Sequence, residues 1–226
     1  MPAIAPSVHL RRGRRDIHIR CSTIADGDFH IERDSVALQH RRQAFERGRW
    51  TQLDEVHGTT VRVVDEPGQH DFAVGDAAVT HCMGAVLSVW VGDCAPLVLV
   101  GDRGVAAVHA GWRGALDGVI QIAAAALGED RVEAVLGPCI HSCCNEFGTD
   151  LLQRFVERCG PDVAGTTSWG TPSLDLPAVV RAALAEVGVP LADLSSCTRC
   201  HPERYFSHRR GQLQRQVMTV RMMEAE

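Results

Sequence analysis

The sequence predicts a mixed α/β (α+β) fold in a single domain spanning residues 1–226. Three observations predict it. Short apolar, β-branched runs bounded by glycine, aspartate or proline recur along the chain. Alanine-rich or amphipathic stretches with cap residues stand between them, and the two kinds alternate irregularly, with no internal repeat or low-complexity linker. A chain of 226 residues is also long enough to bury a sizeable core.

The expected elements run as follows. A first helix covers Ser35 to Arg47. Val61 to Asp65 reads as a strand closed by Glu66-Pro67-Gly68, and Ala85 to Val91 is a seven-residue run, apolar apart from Ser88. Leu97 to Val100, Val105 to Val108 and Val132 to Leu136 are further short apolar runs of the kind that fills buried strands. Ala115 to Leu127 is a helix ending at Gly128, a residue suited to a left-handed C-cap. Thr149 is placed to N-cap a helix that runs to Cys159 and stops at Gly160. Asp175 precedes another capped helix, with Pro177 in its first turn and Gly188 beyond its end. Strand order is not readable from this pattern.

Composition narrows the function. The hydrophobic fraction of 45% and charged fraction of 23% are ordinary for a soluble globular protein. A net charge of -5 argues against a nucleic-acid partner, which would call for a basic face. The local run Arg11-Arg12-Gly13-Arg14-Arg15 reads as a solvated surface. No apolar stretch approaches the roughly 18 residues of a membrane span, and no apolar core follows the N-terminal charges as a secretory signal would require. The expectation is a cytoplasmic protein with no membrane partner, whose nine cysteines are reduced.

Metal-capable side chains stand at the ends of expected strands: His57 in Val56-His57-Gly58, Cys94 in Gly92-Asp93-Cys94, and His109 before Ala110-Gly111-Trp112-Arg113-Gly114. Loops at strand ends carry function on a rigid sheet. Two imidazoles and a thiolate make a three-ligand zinc set with a fourth position open. On spacing alone they read as two satisfied histidines and a buried cysteine, since the long gaps between them match no compact metal motif. The turn Gly111 to Gly114 precedes a helix, where backbone N–H groups and the dipole favour an anion. Arg113 adds a planar fork for phosphate or carboxylate. Trp112 either stacks on a base or packs.

Cys197-Thr198-Arg199-Cys200-His201 fits a haem-attachment pattern, which the lack of a secretory signal disfavours, or half of a zinc site. No second CxxC completes it, and the adjacent Cys143 and Cys144 look too close together to stand in for one. No GxGxxG, GxxxxGK[ST] or GxSxG occurs.

Several blocks together resemble the bacterial laccase-domain (polyphenol oxidase, YfiH-like) family, also described as multifunctional purine nucleoside phosphorylases. They are Glu55-Val56-His57-Gly58, Gly75-Asp76-Ala77-Ala78-Val79-Thr80 and Gly92-Asp93-Cys94-Ala95-Pro96, then His109 to Gly114, Gly137-Pro138-Cys139-Ile140 and Tyr205 to Arg210. The order is kept, and His-Ala-Gly-Trp-Arg-Gly is highly specific. The resemblance implies a layered α/β/β/α sandwich with mixed sheets and a metal held by His57, Cys94 and His109. It further implies phosphorolysis of adenosine, guanosine, inosine or methylthioadenosine, and deamination of adenosine, so that the partners are purine nucleosides and inorganic phosphate. The cofactor expected is Zn2+, with copper the alternative, and the chain is a monomer or homodimer. Asp93 is then either an acid/base group beside Cys94 or a turn aspartate. Arg113, Arg209 and Arg210 are the residues available to hold phosphate.

The chain departs from the family pattern in places. The family's Thr-Arg-x-Gly-Gly loop is replaced by Cys21 to His30, without the arginine or the glycine pair. Glu55 replaces a glutamine, His208 a tyrosine, and His40-Arg41 an Asn-Arg pair. Gln214-Arg215-Gln216 stands where Gly-Arg-Gln is usual. These changes fall on the expected substrate wall and spare the metal ligands. The competing readings are a copper oxidase, a metal-stabilised binding protein without turnover, and a cysteine hydrolase using Cys94.

Overall fold

We describe the chain from a computed structural model over residues 7–31 and 35–225; residues 1–6, 32–34 and 226 of the expected 1–226 domain lie outside the described residues. In chain order the elements are β1 (Ser7–Arg12), β2 (Arg15–Cys21), α1 (Ser35–Phe45), β3 (Arg49–Gln52), β4 (Val61–Val64), β5 (Ala77–Thr80) and β6 (Ala85–Val91). Then follow β7 (Ala95–Gly101), β8 (Val105–Ala110), α2 (Trp112–Leu116), α3 (Val119–Leu127), β9 (Val132–Leu136) and α4 (Thr149–Cys159). The rest are β10 (Ala164–Thr166), β11 (Pro172–Leu174), α5 (Leu176–Glu186), β12 (Leu191–Asp193) and β13 (Gln216–Glu224).

Two mixed sheets dominate. One has the order β1-β2-β13-β6-β3 and the other β12-β9-β7-β8-β5-β4, while β10 and β11 form a separate small ribbon. Both large sheets combine antiparallel neighbours with a parallel pair, β3–β6 in the first and both β4–β5 and β12–β9 in the second.

The layering follows from side-chain alternation. In β7, Val98 and Val100 face the other sheet, where they meet Ile17, Leu87 and Met218. Leu97 and Leu99 face the opposite way and pack on Ile120 and Leu127 of α3 and Val180 and Leu184 of α5. A strand covered on both faces has no polar side, which is why the β7 run reads as continuous hydrophobics and Ala85–Val91 as nearly so, broken by the buried Ser88. Each fully buried leucine contributes about 1.5–3 kcal/mol. Beyond the first sheet, Leu38 and Phe45 of α1 close over Trp50, Val86 and Val217. The result is the expected α/β/β/α sandwich. Among the described residues no helix is long and apolar enough to cross a membrane.

Several expected boundaries are corrected. The helix expected from Ala115 to Leu127 is two helices: it begins earlier, at Trp112, and breaks at Gly118, whose φ of 90° is left-handed. The N-cap of α4 is Gly148, not Thr149, and no side chain caps it. Helix α1 stops at Phe45, short of Arg47. Strand β7 starts at Ala95 and β8 extends to Ala110, so Cys94 and His109 sit at the mouth of one hairpin. Asp175 does cap α5, its side chain accepting from the Ala178 N–H, and Gly128 closes α3 in the left-handed region.

Candidate metal centre and active site

Register brings the three metal-capable residues together. In the β7–β8 hairpin Pro96 pairs with His109, which places Cys94 across from the end of β8. Strand β5 pairs on the other side of β8, with Ala77 opposite Val108. Asp76, just before β5, therefore lies beside His109, and its carbonyl accepts the His109 N–H at 2.7 Å. His57 arrives from the loop before β4 with φ 62°, a left-handed backbone that a histidine adopts only when its surroundings impose it.

Asp76 supplies that constraint. Its carboxylate is fully buried and accepts the backbone N–H groups of His57 and Gly58, each at 2.8 Å. The same carboxylate accepts Nδ1–H of His109 at 3.0 Å, which turns Nε2 of that ring toward Cys94. One side chain thus orients both imidazoles, as partners of metal-bound histidines commonly do. The sequence reading missed this role: Asp76 was visible only inside a family block, and a turn aspartate carries no further mark.

The ligand atoms of His57, Cys94 and His109 lie within 4.8 Å of one another, with Nε2 of His57 3.7 Å from Sγ of Cys94. A tetrahedral zinc with ordinary bond lengths spaces nitrogen and sulfur about 3.6 Å apart, so the donor set fits that ion. Two glycines make room for it. A Cβ at Gly111 would stand 2.6 Å from Cδ2 of His57 and 3.3 Å from Sγ of Cys94, and one at Gly114 would stand 2.6 Å from the Gly58 carbonyl. These contacts explain both outer glycines of the Gly-Trp-Arg-Gly turn.

The electrostatics favour a thiolate. Burial alone would raise the Cys94 thiol, but His109 and His57 outweigh it and hold it at about 6. Burial likewise opposes charge on His109, yet Glu55, Cys94 and Asp76 together raise it well above its ordinary value. The Glu55 side chain, 3% exposed and 3.5 Å from Nδ1 of His109, is pushed up by burial to about 8. Without metal the pair is therefore Cys94 thiolate with His109 imidazolium.

His57 and Cys94 form the floor of a cavity of about 640 Å³. Its lining mixes apolar side chains, Trp112, Ile140 and Leu176, with polar ones, Asp93, Arg113, Asn145 and Arg209. Trp112 packs edge-on against Phe147, with the Arg113 guanidinium 4.4 Å from its ring centre. Behind the same floor, a cavity of about 200 Å³ is bounded by Glu55, His30, Trp90 and Arg215, and His208 borders both spaces. The departures at Glu55 and His208 thus fall beside the metal-capable residues.

These contacts bear on four of the expectations. The anion site imagined at a long helix N-terminus belongs to the five-residue α2, so any anion there depends on the Arg113 side chain. Asp93 lines the cavity and accepts from Thr198 Oγ1 at 2.6 Å, from the Arg209 N–H at 2.7 Å and from Ser207 Oγ at 3.1 Å. These bonds tie it to the loop that carries Arg209. Arg209 lines the cavity while touching Asn145 Oδ1 and the Glu146 carbonyl, whereas Arg210 turns away and donates to the carbonyls of Thr198, Arg199 and Tyr205. The adjacent Cys143 and Cys144, set aside above, do meet Cys197 and Cys200: all four sulfurs lie within 4.8 Å of one another.

Comparison with known proteins places this site in a family. The family model described as multi-copper polyphenol oxidoreductase laccase matches residues 22–224. The chain belongs to this family. A relative from Xylella fastidiosa named purine nucleoside phosphorylase is 34% identical over 225 residues, covering 92% of this chain and 82% of the relative. A relative from an unknown prokaryotic organism, named adenosine deaminase RL5, is 34% identical over 180 residues, 69% of this chain and 68% of its own. The fold is shared with Neisseria meningitidis protein NMB0706, with a TM-score of 0.81 at 23% identity over 96% of this chain and 99% of that one. It is also shared with YlmD from Geobacillus stearothermophilus, with a TM-score of 0.78 at 22% identity over 97% and 100%.

Proposed function

We propose that the chain is a zinc-dependent purine nucleoside enzyme, cleaving adenosine, inosine, guanosine or methylthioadenosine with phosphate and deaminating adenosine. The observation that carries this reading is the His57–Cys94–His109 set beside a cavity whose lining combines Trp112, Ile140 and Leu176 with the guanidinium groups of Arg113 and Arg209. A purine needs the apolar groups and a phosphate the guanidinium groups. The names of the relatives point to the same chemistry.

In this reading His57, Cys94 and His109 hold zinc, which when bound supplies a Lewis acid and a water of lowered pKa at its open position. Trp112, Ile140 and Leu176 enclose the base. Arg113 and Arg209 hold phosphate against the ribose as charged donors. Asp76 positions both histidines, Asp93 positions the loop that presents Arg209, and Arg210 serves that loop's structure. With Glu55 and His208 beside the metal-capable residues, substrate preference or rate differs from members that carry glutamine and tyrosine there.

The copper-oxidase reading is weaker on one observation. Full reduction of oxygen needs several electrons and hence several copper centres. Among the described residues the metal-capable groups are this one triad and a group made wholly of thiols.

The test is incubation of metal-quantified protein with adenosine, with and without phosphate, assaying inosine, adenine and ribose phosphate, with His109→Ala as control. Product lost in the variant supports the reading, and phosphate dependence separates phosphorolysis from deamination. No product from protein carrying stoichiometric zinc at this site would overturn it.

A further inference from the structure

Cys143 and Cys144 lie in the loop between β9 and α4, and Cys197 and Cys200 in the loop between β12 and β13. We propose that these four sulfurs bind a second metal ion, a structural zinc that clamps the two loops together behind the cavity wall.

The spacing fits one ion. Sγ of Cys143 is 3.7 Å from that of Cys144 and 3.6 Å from that of Cys200, and Cys144 is 3.4 Å from Cys200. A zinc with four Zn–S bonds of ordinary length places its sulfurs about 3.8 Å apart. A disulfide would bring one pair to about 2.05 Å, and no pair here is selected over the others. An iron–sulfur cluster would insert its own atoms between the thiolates and spread them further. Four thiolates with no carboxylate select zinc among the common divalent ions, and a complete set of four leaves no position for substrate, so the role is structural.

The surroundings fit a clamp. Cys139 and Cys197 form a parallel bridge between the two loops, with the Thr198 N–H donating to the Cys139 carbonyl at 3.0 Å. The Cys143 carbonyl accepts from the N–H and Oγ of Ser168, bringing in a third segment. The Arg199 guanidinium lies beside Cys144 and 4.7 Å from the centre of the Trp169 ring, offering positive charge to an otherwise anionic tetrathiolate. Both clamped loops reach the cavity: Asn145 follows the first cysteine pair directly, and Arg209, on the second loop, donates to its Oδ1 at 3.1 Å. Binding exchanges four thiol protons for one Zn2+, with no redox change.

The experiment uses the full chain, purified under reducing conditions, as a His57→Ala/His109→Ala variant that removes the first site's contribution. Elemental analysis is expected to find one zinc per chain, and cobalt loading to give intense sulfur-to-metal charge-transfer absorption. Adding Cys143→Ser and Cys200→Ser is expected to abolish both signals, while Cys21→Ser leaves them intact. If the quadruple variant does not fold, wild-type protein provides the readout: two zinc ions per chain, with thiols that become reagent-accessible only when a chelator strips the metal. A zinc-supplemented His57/His109 variant without zinc, or native protein with a disulfide among these four by mass spectrometry, would overturn the proposal. Neither result touches the nucleoside reading, and absence of nucleoside turnover leaves the second zinc standing.

Discussion

Oδ1 of Asp76 lies 3.0 Å from Nδ1 of His109 and accepts its proton, while the same oxygen takes the backbone N–H of His57 at 2.8 Å. One buried atom therefore sets the tautomer of one imidazole and the left-handed backbone of the other. Replacing Asp76 by asparagine keeps the volume but offers only one acceptor oxygen and no charge. Zinc affinity at the His57–Cys94–His109 site is expected to fall about ten- to a hundredfold, read by competition with a chromogenic chelator. Unchanged affinity would remove Asp76 from the site.

Gly111→Ala tests the close approach of α2. The new methyl would stand 2.6 Å from the His57 ring, and relieving that overlap moves either the ring or the helix. The expected cost is about 1–3 kcal/mol in stability, with loss of zinc binding at this site. Thermal unfolding together with metal content checks it.

Proton release tests the charge state of the metal-free site. Cys94 at about 6 is already thiolate above pH 7, while His109, raised well above its ordinary value, still holds its proton. In a Cys143→Ser/Cys200→Ser background, which leaves this site as the zinc acceptor, zinc binding near pH 7.5 is therefore expected to expel about one proton, chiefly from His109. Calorimetry in buffers of different ionisation enthalpy measures this number.

The stability of metal-free protein carries the same signature. A thiol whose folded pKa lies below its unfolded value contributes stability that is complete above the unfolded value, near 9, and is lost as pH falls through about 6. Cys94→Ala is thus expected to cost more at pH 8 than at pH 5, measured by denaturant unfolding with chelator present. An equal cost at both pH values would contradict the thiolate assignment.

Arg209 and Arg210 are adjacent but separable. Arg209→Ala is expected to raise the KM for phosphate at least tenfold with little change in unfolding temperature. Arg210→Ala leaves carbonyls of Thr198, Arg199 and Tyr205 without their shared donor and is expected to cost about 2 kcal/mol of stability. Paired kinetics and melting curves decide it.

What the sequence made legible follows from how far each signal reaches. Ala85–Val91 and Val132–Leu136 are legible to the residue, because buried, mainly apolar residues bounded by polar or glycine positions mark a covered strand even when one polar residue, Ser88 or Glu133, interrupts it. The split at Asp117-Gly118 escaped notice because alanines on its far side carry a strong helical signal. Cys94 and His109 were visible at strand ends, but only the register of β7 on β8 makes them neighbours. Asp76 was hidden because hydrogen bonds to backbone N–H groups leave no trace in residue spacing. Cys143 and Cys144 were dismissed because adjacency along the chain says nothing about which loop folds back to meet them. Arg209 and Arg210 are equivalent on paper and diverge only because the short turn His208–Arg210 points successive side chains apart.

Strand β13 lies between β2 and β6, although roughly half the chain separates it from β6 and most of the chain from β2. Until β13 is made, β2 and β6 each present an open edge, and the first sheet exists as two halves with no common member. A ribosome-bound chain at that stage already carries every residue of the His57 triad, yet it lacks the seam that joins the halves and fixes the loop bearing Arg209. Such a nascent chain exposes sticky strand edges, a state that chaperones shield and proteases recognise. The first sheet is thus completed only when its last strand in chain order is placed between β2 and β6.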